Sequence, residues 1–164
     1  MFVQKYVVSN DFIDLNGHLS EVGYYYYAVQ TVWAINKKLG LVEKYEEFRI
    51  GPIIFDTEIK FKREVFRGEK INVSIIFSNI IQNGRKWTRS NEIFNENGDL
   101  SAVVVSNGAF FSRNTRKVIT PPKVISKKLF KSWNLSTEKI LPNKLLSVFL
   151  DDLNIVIFLI INSL

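Results

Sequence analysis

The feature that most constrains this chain is a series of strand-like runs separated by tight-turn signals. Apolar and polar residues alternate in "FDTEIKFKREV", residues 55–65, and period-two alternation is typical of a strand with one solvated face. Three more strand-like runs follow, the first after Arg67-Gly68 and the others after Asn83-Gly84 and Asn97-Gly98. Asn-Gly between two such runs is the strongest short-range hairpin signal, so the sequence predicts an antiparallel meander of four long strands.

One long apolar helix precedes these strands. Ser20 suits an N-cap, Glu21 brings negative charge to the first turn and Gly40 suits a C-terminal stop, which predicts a helix to about Lys38. Few of its positions are polar, which is typical of a buried helix. Residues 2–9, "FVQKYVVS", predict a first strand. Because the sheet needs a partner for its apolar face, we predict an α+β domain in which an antiparallel sheet wraps around this helix.

Composition narrows the chemistry further. A chain of 164 residues suits one hydrophobic core, and the absence of cysteine excludes disulfides and thiolate nucleophiles. A single histidine cannot build a His-rich metal site, so we expect no metal and no cofactor.

The lack of cysteine favours an intracellular, cytoplasmic setting, and the net charge of +6 favours an anionic partner. The N-terminus lacks a signal-peptide pattern, and the apolar run at 155–161 is far shorter than the roughly 20 residues of a membrane span.

The stretch "DLNGHLSEVGYYYYAV", residues 14–29, resembles the signature of the hot-dog thioesterases of the 4-hydroxybenzoyl-CoA thioesterase type. In that family Asp-x-x-Gly-His is followed by two usually polar residues and then by aromatics. Residues 59–75 resemble the family's second and third strands, and "GDLSAVVVSNGAFFSRNTRKVITPP" resembles its last strand and Pro-containing exit. The resemblance extends to about residue 125, and it implies a hot-dog fold.

The resemblance also divides the chain. We expect residues 1–127 to form the hot-dog domain and residues 128–164 to form a C-terminal extension with no assigned role. Within the extension, residues 145–153 are compatible with an amphipathic helix and residues 155–161 with a strand or a second helical stretch. A curved sheet has open edges, and the resemblance implies that these pair in a homodimer or homotetramer with sites at the interface.

The implied activity is hydrolysis of an acyl-CoA thioester. By resemblance Asp14 acts as nucleophile or general base, the backbone N–H of Glu21 polarises the thioester carbonyl, and Tyr24 lies one helical turn inside the site. The first N–H groups of a helix indeed lack intrahelical acceptors. Gly17 is expected to supply a positive φ or a close backbone approach, and His18 to pack or to orient its neighbours. Desolvation against the apolar helix is expected to raise the pKa of Asp14.

Coenzyme A is part of this substrate, and its phosphates suit basic residues on the meander. The predicted substrate-binding residues are Tyr25, Trp33, Lys60, Lys62, Arg63 and Arg89. A solvated strand face is the simpler explanation of any single cation in this set. Arg63 falls in the apolar phase with Phe61 and Val65, which indicates the interior or a partner.

Ser20 and Glu21 replace the Asn residues that the family commonly carries, which keeps alternatives open. The protein is compatible with an acyl-carrier-protein thioesterase, or with a catalytically silent hot-dog dimer that binds acyl-CoA or serves as a scaffold. Enzymes resembling betainyl-CoA hydrolases carry Glu at this place, and tyrosines with Trp33 would then form a cation cage. "RKWTRS", residues 85–90, is compatible with a nucleic-acid surface, although one tryptophan is weak support and we expect no nucleic-acid partner.

Overall fold

The computed structural model describes residues 2–129, which form one antiparallel sheet, three α-helices and two short 3-10 helices. The strands are β1 (Phe2–Val7), β2 (Ile50–Phe61), β3 (Lys70–Ile81), β4 (Lys86–Phe94) and β5 (Leu100–Ser112). The helices are α1 (Glu21–Lys38), α2 (Val42–Glu47) and α3 (residues 123–129). Because α1 contacts β1, β3, β4 and β5, the predicted α+β hot-dog architecture is confirmed. The segments predicted at 145–153 and 155–161 lie outside the described residues.

The strands follow the order β1-β3-β4-β5-β2, and every neighbouring pair is antiparallel. Asn83 and Gly84 lie in the connection between β3 and β4, and both have a positive φ. Gly98 lies between β4 and β5 with a φ of 82°. Both predicted Asn-Gly hairpins are therefore confirmed, since left-handed backbone at these positions suits the twist of the flanking strands.

The predicted meander is wrong for β2, which pairs with β5 and not with β3. Its ladder runs from Ile50 opposite Ser112 to Phe61 opposite Ala102, with an irregularity between Ile54 and Asp56. Residues 62–69, which we call the crossing segment, carry the chain from the end of β2 to β3. The eight residues of the crossing segment are too many for a tight hairpin, so the connection does not force β2 to pair with β3. The position of β2 is decided instead by its pairing with β5.

Helix α1 begins and ends where the sequence predicts. The Ser20 hydroxyl accepts the N–H of Gly23 at 3.3 Å, and Gly40 follows the helix with a φ of 60°. The expectation of a helix buried on all sides is wrong for the single chain, because the sheet covers only one face. Val22 is 63% exposed and Trp33 is 55% exposed.

Buried residues form two hydrophobic clusters. The first joins Tyr24, Tyr27 and Ala28 of α1 to the inner face of the sheet. The second lies at the C-terminal end of α1 and includes Leu41, Tyr45, Ile50, Trp87, Phe110, Ile125 and Leu129. Since Ile125 and Leu129 belong to α3, the predicted domain boundary at residue 127 falls inside a packed helix.

Candidate active site

The loop before α1 folds around the carboxylate of Asp14. Asp14 Oδ1 accepts the backbone N–H of Asn16 at 2.8 Å and that of His18 at 3.2 Å. The backbone N–H of Asp14 donates to the His18 carbonyl at 2.9 Å, and Gly17 donates to the Asp14 carbonyl at 3.1 Å. Gly17 has a φ of 81°, a conformation that glycine adopts without steric cost. The Asp-x-x-Gly-His sequence is therefore one closed turn that holds its carboxylate in place.

The same hydrogen bonds determine the protonation state of Asp14. Desolvation alone would raise the pKa of Asp14, but the N–H groups of His18 and Asn16 outweigh it and hold this pKa below its usual value. The expected upward shift is thus wrong, because the carboxylate lies at the surface of the loop and accepts two N–H groups. Asp14 is ionised at neutral pH, which is the form that a base or nucleophile requires.

A helix N-terminus faces this loop. Ser20 caps the helix through Gly23, and the first helical residue, Glu21, has no intrahelical acceptor for its own N–H. Among the described residues no other acceptor bonds this N–H group. It therefore remains available to an oxygen in front of the helix, where the helix dipole also favours negative charge.

The crossing segment forms the opposite wall of the site. The Tyr24 hydroxyl donates to the Arg63 carbonyl at 3.2 Å, and the Tyr24 ring packs edge-on against Phe61 at 5.3 Å. Burial raises the pKa of Tyr24 to about 12, with further contributions from the nearby carboxylates of Glu64 and Glu69. Tyr24 therefore stays protonated at neutral pH. Its hydroxyl can donate to the Arg63 carbonyl, and this hydrogen bond holds the crossing segment in position.

His18 connects the loop to the same wall. Its Nε2 lies 3.4 Å from Glu64 Oε1, and its ring packs edge-on against Phe66 at 5.3 Å. The backbones of His18 and Phe66 also form an isolated β-bridge. These contacts agree with the expectation that the His18 side chain packs and orients its neighbours. The backbone N–H of His18 also donates to Asp14 Oδ1.

The loop, the helix N-terminus and the crossing segment enclose a cleft of about 340 Å³. Six of the sequence-predicted residues line it, namely Asp14, His18, Glu21, Tyr24, Lys62 and Arg63. Gly17 shapes the loop without lining the cleft, and Lys60 lies on β2 with its Nζ 3.7 Å from Glu58. The Arg63 side chain is 61% exposed, so of its two expected positions, the interior or a partner, the interior is wrong. It lies beyond the end of β2, where strand alternation no longer applies.

Sequence reasoning missed the role of Gly23. A Cβ at this position would collide with the Leu19 side chain and would lie 2.8 Å from Phe12 Cβ. Gly23 therefore lets the loop pack directly on the first turn of α1. A glycine just inside a helix lowers the stability of the helix. The presence of glycine at this unfavourable position was the sequence signal that close packing requires it. Leu19, Phe61 and Glu64 also line the cleft without having been singled out for it.

The remaining predicted residues line a second, separate cavity of about 210 Å³ between α1 and the sheet. Tyr25 and Trp33 approach it from α1 and Arg89 from the inner face of β4. Arg89 is only 4% exposed, which corrects its predicted contact with the phosphates of coenzyme A. The structure thus separates Arg89 from the exposed cations Lys60, Lys62 and Arg63, because β4 turns it toward the interior.

Two of the alternatives left open by the sequence are disfavoured at this cavity. Trp87 is only 5% exposed and packs beside Arg89, so "RKWTRS" does not present a basic–aromatic surface to nucleic acid. A cage of Tyr25 and Trp33 for a quaternary ammonium is also disfavoured, because the guanidinium of Arg89 lines the same space and would repel a cation.

Residues 2–129 contain neither a candidate metal-binding cluster nor a candidate membrane-spanning helix. No group of three or more His, Asp or Glu side chains in this part of the chain is arranged to hold a metal ion. Within the same described residues, no helix combines the length and the apolar character that crossing a membrane requires.

Comparisons with known proteins agree with this arrangement. A family model described as the thioesterase-like superfamily matches residues 7–129, whereas no curated protein matches the sequence. A hypothetical protein from Staphylococcus aureus, solved in complex with CoA, is similar with a TM-score of 0.74 and 16% identity, over 81% of this chain and 84% of that one.

Two further solved structures have the same fold. The DHNA-CoA thioesterase from Staphylococcus aureus has a TM-score of 0.71 and 19% identity over 85% of this chain and 95% of that one. The probable thioesterase YbaW from Escherichia coli has a TM-score of 0.70 and 15% identity over 79% of this chain and 96% of that one. Because the family match covers residues 7–129, nearly all of the described residues, this chain belongs to the thioesterase-like superfamily and is a hot-dog thioester hydrolase.

Proposed function

We propose that this protein hydrolyses acyl-CoA thioesters in the cleft, with Asp14 as general base or nucleophile and the Glu21 N–H as oxyanion donor. One observation carries the proposal. An ionised carboxylate and an unbonded helix N-terminal N–H face the same cleft. A thioester bound between them would meet the attacking group on one side and the donor at its carbonyl oxygen.

Two routes use this geometry. In the first, Asp14 takes a proton from a water molecule as the water oxygen attacks the thioester carbon. In the second, the Asp14 carboxylate attacks the carbon itself, and water then hydrolyses the mixed anhydride. In both, the C–S bond breaks, coenzyme A leaves as a thiolate that takes up a proton, and the acyl group leaves as the free acid. Water is the only co-reactant, so the proposal includes no cofactor.

The oxyanion donor accounts for part of the expected rate. Negative charge develops on the carbonyl oxygen in the transition state, and a single preorganised donor is typically worth about 2.7–4 kcal/mol. The Glu21 N–H lies at the positive end of α1, where the helix dipole adds to the hydrogen bond. Ser20 leaves this N–H free because its hydroxyl caps Gly23 instead.

The cations at the rim of the cleft suit the coenzyme A part of the substrate. Lys62 and Arg63 line the cleft, and the exposed Lys60 lies two residues before Lys62 near the end of β2. Charged side chains at an open rim attract phosphate groups and give charge-assisted hydrogen bonds. The solved relative that holds CoA supports this class of ligand. An acidic acyl-carrier protein would be attracted by the same cations, and it is the second candidate substrate.

We also propose that two copies pair through the outer side of β2. Among the described residues, β2 pairs on one side only, with β5. Ile54, Phe55 and Phe61 are each more than a third exposed along this strand, and Trp33 of α1, which lines the same cavity as Ile54, is 55% exposed. A long unpaired edge strand with exposed apolar side chains is rarely left open in natural proteins. A homodimer, alone or doubled into a tetramer, would cover this edge.

The test combines substitutions at the two catalytic groups. Free-thiol release from short, long and aromatic acyl-CoAs is measured for wild type, Asp14→Asn, Glu21→Pro and Glu21→Ala. Proline is tolerated at the first helical position and removes only the N–H, and Ser20 already has the extended backbone that proline requires before it. We expect losses of about 10²–10⁴-fold for Asp14→Asn and about 10²–10³-fold for Glu21→Pro.

Glu21→Ala is the matched control, because it keeps the N–H and should keep the activity. Light scattering is used to establish that all variants retain the wild-type oligomeric state. Equal activity of Glu21→Pro and Glu21→Ala would exclude the donor role. If wild type hydrolyses no acyl-CoA, the acyl-CoA proposal fails, and acyl-carrier-protein substrates or a non-catalytic hot-dog dimer take its place.

A further inference from the structure

We propose that the second cavity receives the acyl group of the substrate and that Arg89 binds a carboxylate at the distal end of that group. The preferred substrate would then be the CoA thioester of a dicarboxylic acid. The inference rests on the proposed function for the position of the thioester in the cleft.

Arg89 is held in an unusual state for an arginine. It lies on β4 with 4% exposure, and its Nη2 donates to the Ser106 hydroxyl on β5 at 3.0 Å. The Ser106 and Thr57 hydroxyls are 3.0 Å apart, so a polar row crosses β4, β5 and β2. Arg89 Nε is buried and has no hydrogen-bond partner among the described residues. No carboxylate of the described residues lies within ion-pair distance of Arg89.

A buried guanidinium without a carboxylate is energetically costly. Arginine cannot escape this cost by losing its proton, because its pKa remains very high even where burial lowers it. Arg89 lines the cavity, so an anion that enters would find five donor N–H groups with one neutral partner in place. Such a planar donor set fits a carboxylate in bidentate geometry.

The rest of the cavity is mostly apolar, and its polar Asn36 accepts a hydrogen bond from the Tyr45 hydroxyl at 3.1 Å. Val29, Val32 and Trp33 of α1 face Ile54, Trp87 and Phe110 of the sheet. Walls of this kind favour the methylene groups of an acyl chain, and a carboxylate at its end would meet Arg89 as the cavity's charged group.

The cavity and the cleft lie next to each other along α1. Glu21 lines the cleft and Tyr25 lines the cavity, and residues four apart lie on the same face of a helix. The helix rise places them about 6 Å apart along the axis. Tyr25 and Arg89 line the same cavity, so the guanidinium shares this space with the Tyr25 side chain. A thioester carbonyl at Glu21 would thus place a short acyl chain along Tyr25, which suits a dicarboxylic acid of moderate length.

The test separates binding from hydrolysis with two thioether analogues that cannot be hydrolysed. S-(ω-carboxypentyl)-CoA carries the distal carboxylate, and S-hexyl-CoA is its match without the carboxylate. Calorimetric titration of wild type should show the carboxylated analogue binding at least about 30-fold more tightly, as expected for a buried charge pair. Arg89→Gln should reduce this ratio to about threefold or less and leave S-hexyl-CoA binding nearly unchanged. Arg85→Gln, at an exposed arginine just before β4, should keep the wild-type ratio.

Hydrolysis of adipoyl-CoA and hexanoyl-CoA is measured beside the binding. A binding preference that Arg89→Gln abolishes, without hydrolysis of either thioester, would uphold the role of Arg89 and contradict the proposed function. Asp14-dependent hydrolysis without a preference for the carboxylated analogue would contradict the role of Arg89 and leave the proposed function standing. Equal weakening of both analogues by Arg89→Gln would show that Arg89 only maintains the fold, and would overturn the inference.

Discussion

The charged groups of the cleft and of the cavity lie in opposite environments, one exposed and the other buried. In the cleft, Asp14 is exposed and its carboxylate accepts two backbone N–H groups. In the cavity, Arg89 is buried with one neutral partner and an unpaired Nε. Hydrolysis needs water, so its carboxylate belongs at an open surface, whereas recognition gains strength where water is excluded. The two regions therefore divide the two tasks of the proposed enzyme along a single helix.

The first prediction concerns the acid limb of the pH profile. Because the pKa of Asp14 is held low, we expect kcat/KM to stay level as pH falls and to decline about tenfold per pH unit only below the ordinary carboxyl range. Gly17→Ala strains the turn and should weaken the N–H bond from His18 to Asp14. The pKa then rises, so the decline should begin at higher pH.

Gly40→Ala is the control for this experiment, because it places the same kind of strain at the far end of α1. It should leave the acid limb of kcat/KM unchanged. The free energy of unfolding depends on pH in the same direction. The N–H bonds to Asp14 stabilise the fold at pH values above the pKa of Asp14 in the unfolded chain, and this stabilisation is lost as pH falls through the lowered pKa of Asp14 in the folded chain. An acid limb that Gly17→Ala leaves in place would contradict the assignment to Asp14.

The second prediction concerns the packing that joins the loop to α1. Gly23→Ala should reduce the free energy of unfolding by about 1–2 kcal/mol, because overpacking against Leu19 and Phe12 exceeds the gain in helix propensity. It should also lower kcat by displacing the Asp14 loop. Urea denaturation and thiol release measure the two effects. Gly51→Ala, where nothing lies within 4 Å of the added Cβ, should change neither, and equal effects of the two variants would refute this account.

The third prediction concerns the cost of the buried arginine. Arg89→Met should raise the free energy of unfolding by about 1–3 kcal/mol, since an apolar side chain suits the cavity walls and leaves no uncompensated charge. The exposed Arg63→Met is the matched control, and its effect should stay within about 0.5 kcal/mol. Denaturant melts of both variants measure the difference. A clear loss of stability in Arg89→Met would mean that the guanidinium supports the fold.

Local features of this protein could be predicted from sequence, and they were. Ser20 and Gly40 mark the ends of α1 because capping depends on the residues next to the cap. Both Asn-Gly pairs lie in hairpins, and Asn83, Gly84 and Gly98 have the positive φ that such turns require. The fold also follows, since one apolar helix and a set of alternating strands leave few ways to bury the apolar faces. Six of the predicted site residues line one cleft. Four of them, Asp14, His18, Glu21 and Tyr24, lie in the Asp14 loop and at the start of α1, which follow each other directly in sequence.

What the sequence by itself determined, then, is the helix, the two hairpins and the turn around Asp14, all of which depend on neighbouring residues. Only the tertiary structure decided that β2 pairs with β5, because that contact joins residues far apart in the chain. It likewise decided that Arg89 turns inward while Lys62 and Arg63 face the cleft, and that Asp14 has a lowered pKa. Charge alternation shows where cations occur along a strand, but burial and hydrogen bonding determine what each one can do.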